Sequence, residues 1–239
     1  MSGHSKWNNI KRKKEATDAK RAKVFTKIGR EIAVCVKAGG PDPVSNSALR
    51  DLIAKAKSLN VPNDNIMRTI NKYSSGGGED YESITYEGYG PGGAAVIVET
   101  MTDNRNRTAS DMRHYFDKFG GNLGASNCVS WQFDRKGVLL VEREDQDEDE
   151  FMMIALEAGA DDFAAEEESF EIITSEENFE AVRDALAAQG IEFADASVQM
   201  IPQNYVSLNE EQLINMQKLI DMLEDNDDVQ EIWHNCDNI

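Results

Sequence analysis

The stretch Ser74-Ser75-Gly76-Gly77-Gly78-Glu79-Asp80 divides the 239-residue chain into two parts whose apolar residues follow different periods. It contains no large apolar side chain, and its three consecutive glycines give the backbone little stiffness. Before it, apolar residues recur every three or four positions, as in amphipathic helices. After it they alternate or form short continuous runs, as in strands. The sequence therefore predicts a flexible linker between a helical N-terminal domain and a larger α+β part.

The N-terminal part, residues 1–78, is predicted to be a domain of three short helices. The apolar face of the first helix comprises Val24, Phe25, Ile28, Ile32 and Cys35. This helix is expected to stop at Gly39-Gly40-Pro41, because glycine and proline end helices. Ser47 is expected to cap the second helix and Pro62 to open the third.

The part after the linker is predicted to begin with two strands, at 84–86 and 94–100. A helix at 107–119 follows, and then a strand in which Val129, Trp131 and Phe133 alternate with polar residues. This β-β-α-β set is one helix and one strand short of a balanced sandwich of a sheet and two helices.

The missing pair is predicted at the end of the chain, where a helix at 209–224 precedes a strand at 229–234. Between the two sets, a complete unit of four strands and two helices occupies 137–203. We therefore predict an α+β protein in which two ferredoxin-like sandwich domains follow the helical domain. The domain 137–203 would be inserted into a discontinuous middle domain made of 81–134 plus 205–239.

Charge is distributed very unevenly along the chain. The net charge is −19, yet residues 1–78 hold sixteen Lys and Arg against six Asp and Glu, and the remainder holds nine against thirty-eight. Such asymmetry is typical of a nucleic-acid-binding arm or domain. A polyanion would be attracted to one end of the chain and repelled by the rest.

The candidate nucleic-acid-binding residues are basic side chains with one tryptophan among them. They are Lys6, Trp7, Lys11, Arg12, Lys13, Lys14, Lys20, Arg21, Lys23, Lys27, Arg30, Arg105 and Arg107. The lysines and arginines would neutralise phosphates, and Trp7 would either stack on a base or anchor the tail to the helices. Arg105 and Arg107 belong to Thr102-Asp103-Asn104-Arg105-Asn106-Arg107-Thr108, whose amides suit hydrogen bonding to backbone or bases.

A glycine-rich stretch, Gly88-Tyr89-Gly90-Pro91-Gly92-Gly93, satisfies the pattern G-x-G-x-x-G. A dinucleotide site needs this pattern to follow a strand and open a helix, but here the predicted strand 94–100 comes next. We therefore interpret it as a hairpin connection or a close backbone approach.

No recognisable catalytic set is present, and we expect neither a cofactor nor a metal site. His4, His114 and His234 are scattered, and the three cysteines are widely spaced with no C-x-x-C pair, as in a protein of a reducing compartment. No apolar run is long enough to span a membrane. The alternative from another class is an enzyme with a site between the two α/β domains.

Several long strings make the chain recognisable. They are Gly3-His4-Ser5-Lys6-Trp7, Asp18-Ala19-Lys20-Arg21, Phe25-Thr26-Lys27, Tyr86-Glu87-Gly88-Tyr89-Gly90-Pro91-Gly92-Gly93, the 102–108 segment and Gly120-Gly121-Asn122-Leu123-Gly124. With these strings the chain resembles the YebC/PmpR family over essentially its whole length. Asn8-Asn9-Ile10 and the uniformly basic Lys11-Arg12-Lys13-Lys14 are minor departures from the family pattern.

The resemblance implies a non-enzymatic cytoplasmic protein of three domains that regulates gene expression. Family members are described as DNA-binding transcriptional regulators, or as translation factors that ease ribosome stalls on proline-rich sequences. We expect a ribosome-associated monomer that contacts ribosomal RNA, since no reading helix is evident and the acidic body would be repelled by flanking duplex. Duplex DNA is the alternative partner.

Overall fold

The structure is a computed structural model that describes residues 18–143 and 146–239, with side chains from residue 22 onward. The helical region consists of α1 (Asp18–Gly39), α2 (Ser47–Ser58) and α3 (Asn63–Ser74). Its core contains Ile28 and Ile32 from the predicted apolar face of the first helix, together with Leu49 and Ile66, all at most 2% exposed.

The N-cap of α2 is Asn46 rather than the predicted Ser47. The Asn46 side-chain oxygen accepts a hydrogen bond from Leu49 N, while its amide nitrogen donates to Cys35 O and Gly40 O at the end of α1. An amide can accept and donate through different atoms, so Asn46 joins two helix ends.

The segment 74–80 contacts both α1 and α3. Lys37 donates to the backbone oxygen of Glu79 at 2.8 Å and pairs with the Asp80 carboxylate. Gly78 has a φ of +85°, and a Cβ there would collide with the Tyr73 ring. These glycines serve a tight turn and a close approach. The helical region forms one compact unit with the chain up to Ser130 and with Leu208–His234.

The first sheet has the order β3-β1-β2-β8, with all neighbours antiparallel. Its strands are β1 (Glu82–Tyr89), β2 (Ala95–Thr102), β3 (Asn122–Leu123) and β8 (Val229–His234), and its helices are α4 (Arg105–Lys118) and α7 (Glu210–Asp225). The chain thus leaves this sheet after β3 and returns to it only with α7 and β8. The helices contribute Met112, Phe116, Met216, Leu219 and Leu223, all fully buried.

The predicted strand through Val129, Trp131 and Phe133 is wrong. Ser130–Gln132 is a 3-10 turn, the strand β4 begins only at Phe133, and the third strand of the first sheet is the two-residue β3. Val129 and Phe133 are buried, but Trp131 between them is 67% exposed. The alternating apolar residues Val129, Trp131 and Phe133 therefore span a 3-10 turn and the start of β4.

The second sheet has the order β5-β6-β4-β7 and the ferredoxin-like succession β-α-β-β-α-β. Its strands are β4 (Phe133–Glu142), β5 (Asp162–Ala165), β6 (Ser169–Ser175) and β7 (Asp195–Pro202), and its helices are α5 (Glu148–Glu157) and α6 (Phe179–Ala188). Phe151 stacks on Phe170 at 4.7 Å between ring centroids in its core. The predicted α+β class, with an N-terminal helical region and two antiparallel sheets, is confirmed.

The glycine-rich stretch joins the antiparallel strands β1 and β2 through a 3-10 turn, Pro91–Gly93, and opens no α-helix. A Cβ on Gly88 would lie 2.5 Å from the backbone oxygen of Asn122. The interpretation as a hairpin connection with a close backbone approach is confirmed. Within the described residues, no helix has the length and apolar character needed to cross a membrane.

Candidate nucleic-acid interface

Helix α1 places three candidate residues on one face. Lys23, Lys27 and Arg30 follow one another at intervals of four and three residues, so they lie one above the other. Ile28 and Ile32 lie on the opposite face, in the core of the helical region. The amphipathic pattern that builds the core therefore also separates the basic side chains from it.

Arg30 donates hydrogen bonds to the loop between α7 and β8. Its Nη1 donates to Asp228 Oδ1 at 2.6 Å, to the backbone oxygen of Asp227 at 2.7 Å and to that of Met101 at 3.0 Å. The side chains of Arg30 and Asp228 are only 14% and 4% exposed. This ion pair is buried, and it fixes α1 to the first sheet.

Arg107, in the first turn of α4, meets the same carboxylate. Its Nη2 donates to Asp228 Oδ2 and to Asp103 Oδ1, both at 2.8 Å. Burial alone would raise the pKa of Asp228, but the hydrogen bonds from Arg107, Thr108 and Arg30 bring the pKa below its usual range. The hydrogen bond to Asp228 in turn raises the pKa of the Arg107 guanidinium. The Asp228 carboxylate is therefore held between the guanidinium groups of Arg30 and Arg107.

Lys23 contacts the end of α7. Its Nζ pairs with the Asp225 carboxylate and lies 3.2 Å from the backbone oxygen of Asp225. The last turn of α7 contains no basic residue of its own, so Lys23 supplies a positive charge where the helix dipole favours one. The Asp225 side chain is 76% exposed, and a pair in that setting stabilises a protein by about 0–1 kcal/mol.

The structure describes the side chains of two further candidate residues, Lys27 and Arg105. Arg105 is exposed, and Lys27 is half-buried between Lys23 and Arg30. Lys20 and Arg21 lie in the first turn of α1, where side chains are not described. Six candidates fall outside the described residues: Lys6, Trp7, Lys11, Arg12, Lys13 and Lys14.

Arg30, Arg107 and Asp228 line an open cleft of about 440 Å³. Five aspartates line it, against two arginines: Asp103, Asp111, Asp225, Asp227 and Asp228, with Arg30 and Arg107. Carboxylates in excess repel phosphate, so this cleft does not suit a nucleic-acid backbone. Lys23, Arg30 and Arg107 thus form ion pairs with acidic residues of the chain itself.

Glu87 is a buried carboxylate that sequence reasoning did not single out. It is 5% exposed and accepts backbone hydrogen bonds from Asn127, Val129 and Ser130 at 2.8–3.0 Å. Burial would raise the pKa of Glu87, but these three N–H groups lower it. Glu87 holds the segment that follows β3, which explains why a charged residue lies inside the glycine-rich string.

Asp225 and Asp228 were also missed, although the sequence holds a signal for them. Five acidic residues fall within 221–228, and no Lys or Arg follows Lys218. Acidic groups at the C-terminal end of a helix oppose its dipole, so this placement predicts a cation from elsewhere in the chain.

The comparisons with known proteins cover both parts of the chain. Residues 5–76 match the family described as TACO1/YebC protein N-terminal domain, and residues 81–236 match TACO1/YebC second and third domain. The chain belongs to the TACO1/YebC family. The resemblance found in the sequence strings is therefore confirmed.

Relatives within the TACO1/YebC family are similar to this chain over almost their full length. A probable transcriptional regulatory protein of Acetivibrio thermocellus is 59% identical, with 98% of each chain covered. One of Clostridium beijerinckii is 57% identical, covering 99% of this chain and 97% of the relative. The crystal structure of a conserved hypothetical protein from Aquifex aeolicus matches with a TM-score of 0.83 and 43% identity, covering 92% and 91% of the two chains. Curated TACO1/YebC relatives are thus named as regulators of transcription.

Proposed function

We propose that this protein is a non-enzymatic, cytoplasmic regulator of gene expression that binds nucleic acid through its N-terminal part, residues 1–78. The observation that carries the proposal is the concentration of sixteen basic residues there, in a chain of net charge −19. Phosphate neutralisation by lysine and arginine provides most of the affinity in non-specific binding to nucleic acid. The names of the relatives support a regulatory role.

Eight proposed contacts belong to the tail and the start of α1, namely Lys6, Trp7, Lys11, Arg12, Lys13, Lys14, Lys20 and Arg21. Arg30 and Arg107 are committed to Asp228, so we assign them to positioning α1 and α4 rather than to phosphate contact. Arg105 stays a candidate contact because its side chain is exposed.

The ribosome is the partner that we propose. A large acidic body is repelled by flanking duplex but tolerated in a cleft lined partly by protein, and ribosomal RNA is recognised by shape as well as by charge. Such a factor would ease stalls on proline-rich sequences. It would need no preference for a DNA sequence.

Duplex DNA is the second candidate, and it has a specific observation in its favour. Helices α2 and α3 have 12 residues each and are joined by the short segment 59–62, a length found in helix-turn-helix motifs. The exposed positions of α3 include Asn63, Met67, Arg68 and Lys72. This helix would be the reading element of a transcriptional regulator.

The two partners are separated by one pair of measurements on the full-length protein. We expect co-sedimentation with purified ribosomes at near-physiological salt, and weak, salt-sensitive, unselective binding in a selection from random duplex DNA. Sedimentation without ribosomes is the control for self-association. A sharp DNA consensus without ribosome association would establish the transcriptional alternative instead.

A further inference from the structure

We propose that the acidic end of α7 competes with nucleic acid for Lys23, so that Asp225 holds this lysine in the free protein and releases it to a phosphate on binding. The inference rests on the proposed function, because it describes how the proposed binding surface is regulated. The segment 221–228 acts in it as an intramolecular substitute for the phosphate backbone.

The position of Lys23 is the first support. It lies on the same face of α1 as Lys27 and Arg30, nearest of the three to the basic tail. A phosphate chain that runs along α1 from Lys20 and Arg21 meets Lys23 next. At that point the Lys23 ammonium already pairs with the Asp225 carboxylate and contacts the Asp225 backbone oxygen.

The surroundings of Asp225 are the second support. Asp221, Glu224, Asp225, Asp227 and Asp228 follow one another closely, at the end of a helix whose dipole is negative there. Carboxylates in this position destabilise the helix unless a cation approaches. The same negative field that attracts Lys23 repels an incoming phosphate, so both effects oppose nucleic-acid binding at this point.

The difference in solvent exposure between the Lys23–Asp225 and Arg30–Asp228 ion pairs determines which of them separates on binding. The Lys23–Asp225 pair is solvent-accessible, with side chains 35% and 76% exposed. Water solvates both charged groups when such a pair separates, and salt weakens the pair. The Arg30–Asp228 pair is 14% and 4% exposed and is shared with Arg107, so it stays closed. Nucleic acid therefore exchanges one ion pair without separating α1 from the first sheet.

The test is a double-mutant cycle on the full-length protein, with Asp225→Asn and Lys23→Ala. The probes are a fluorescently labelled single-stranded RNA and a duplex DNA of the same length, and binding is followed by anisotropy at several salt concentrations. Glu192→Gln is the matched control, because it makes the same change in net charge at an exposed position of the other compact unit. Melting temperatures confirm that every variant is folded.

Asp225→Asn is expected to tighten binding by about two- to fivefold at low salt, which is the fold-change equivalent of an exposed ion pair. The gain should shrink as salt rises, since the pair is itself screened. In the Lys23→Ala background the gain should shrink to what the loss of the repulsion between Asp225 and phosphate contributes. A gain that is undiminished without Lys23, or none beyond the control, overturns the inference while leaving the proposed function intact. Failure of the parent and all variants to bind either probe overturns both.

Discussion

Asp228 joins three separate parts of the chain. Its carboxylate pairs with Arg30 of α1 and Arg107 of α4, and its backbone oxygen accepts a hydrogen bond from Met101 N of β2. Replacing it by Asn would leave Arg30 buried beside a neutral partner. We expect Asp228→Asn to lower the free energy of unfolding by about 3 kcal/mol, because removing one member of a buried ion pair leaves an uncompensated charge. Urea denaturation of the two proteins measures the difference.

Asp225→Asn is the control for this prediction, because Asp225 lies three residues away in an exposed ion pair. It should lower the free energy of unfolding by about 1 kcal/mol or less.

The contribution of Asp228 to stability should also depend on pH. Because the folded pKa of Asp228 lies below its usual value, its ionisation stabilises the fold above the unfolded pKa of about 3.9. The difference between the parent and Asp228→Asn should therefore be complete at neutral pH and decrease as the pH falls below about 4. A difference that is constant down to strongly acid pH would show that Asp228 acts through its shape and not its charge.

At the scale of elements, the C-terminal helix and strand are predicted to be essential to the middle domain. β8 pairs with the buried strand β2, and α7 contributes Met216, Leu219 and Leu223, each fully buried. Burial of such a side chain provides about 1.5–3 kcal/mol, so the three together approach the total stability of a domain, about 5–15 kcal/mol. We expect deletion of 207–239 to unfold 81–134, whereas the fragment 137–203 should fold alone around Phe151 and Phe170.

Amide dispersion in two-dimensional NMR spectra measures both outcomes. A chain that lacks only 235–239 retains α7 and β8 and should keep the dispersion of the first sheet. Native-like dispersion throughout a fragment of 81–206 would reject an inserted domain, and with it the boundaries proposed for the discontinuous middle domain.

The elements that the sequence predicted well are those whose own residues define them. β8 is found at the predicted 229–234, and the predicted apolar face of α1 lies in or against the core of the helical region. β3 escaped prediction because two residues have no period, and they form a strand only through pairing with Gly88 and Tyr89. In the candidate site, too, contacts between residues distant in sequence could not be predicted. Arg30 and Arg107 were identified from local composition, but their partner Asp228 is 198 and 121 positions away.

At the scale of the whole molecule, nucleic-acid affinity is predicted to depend more on where the basic residues lie than on the net charge. Screening limits the reach of exposed charges to about 8 Å at physiological salt, so the net charge of the whole chain does not by itself set the affinity of a local basic segment. Neutralising Lys11, Arg12, Lys13 and Lys14 together should weaken nucleic-acid binding for every sequence tested. The dependence of log Kd on log salt should flatten by about 0.7–0.9 for each phosphate that the variant no longer neutralises.

The matched control neutralises four basic residues in or next to β4 and α6: Arg135, Lys136, Arg143 and Arg183. Both variants make the same change in net charge, but only the first removes charge from the proposed binding end. If the affinity and salt dependence of binding change equally in the two, attraction depends on the total charge and the tail has no special role. If only the tail variant loses affinity and the salt slope flattens with it, binding is located in the N-terminal part. Its remaining affinity then measures what the other proposed contacts contribute, namely Lys6, Trp7, Lys20, Arg21, Lys23 and Arg105.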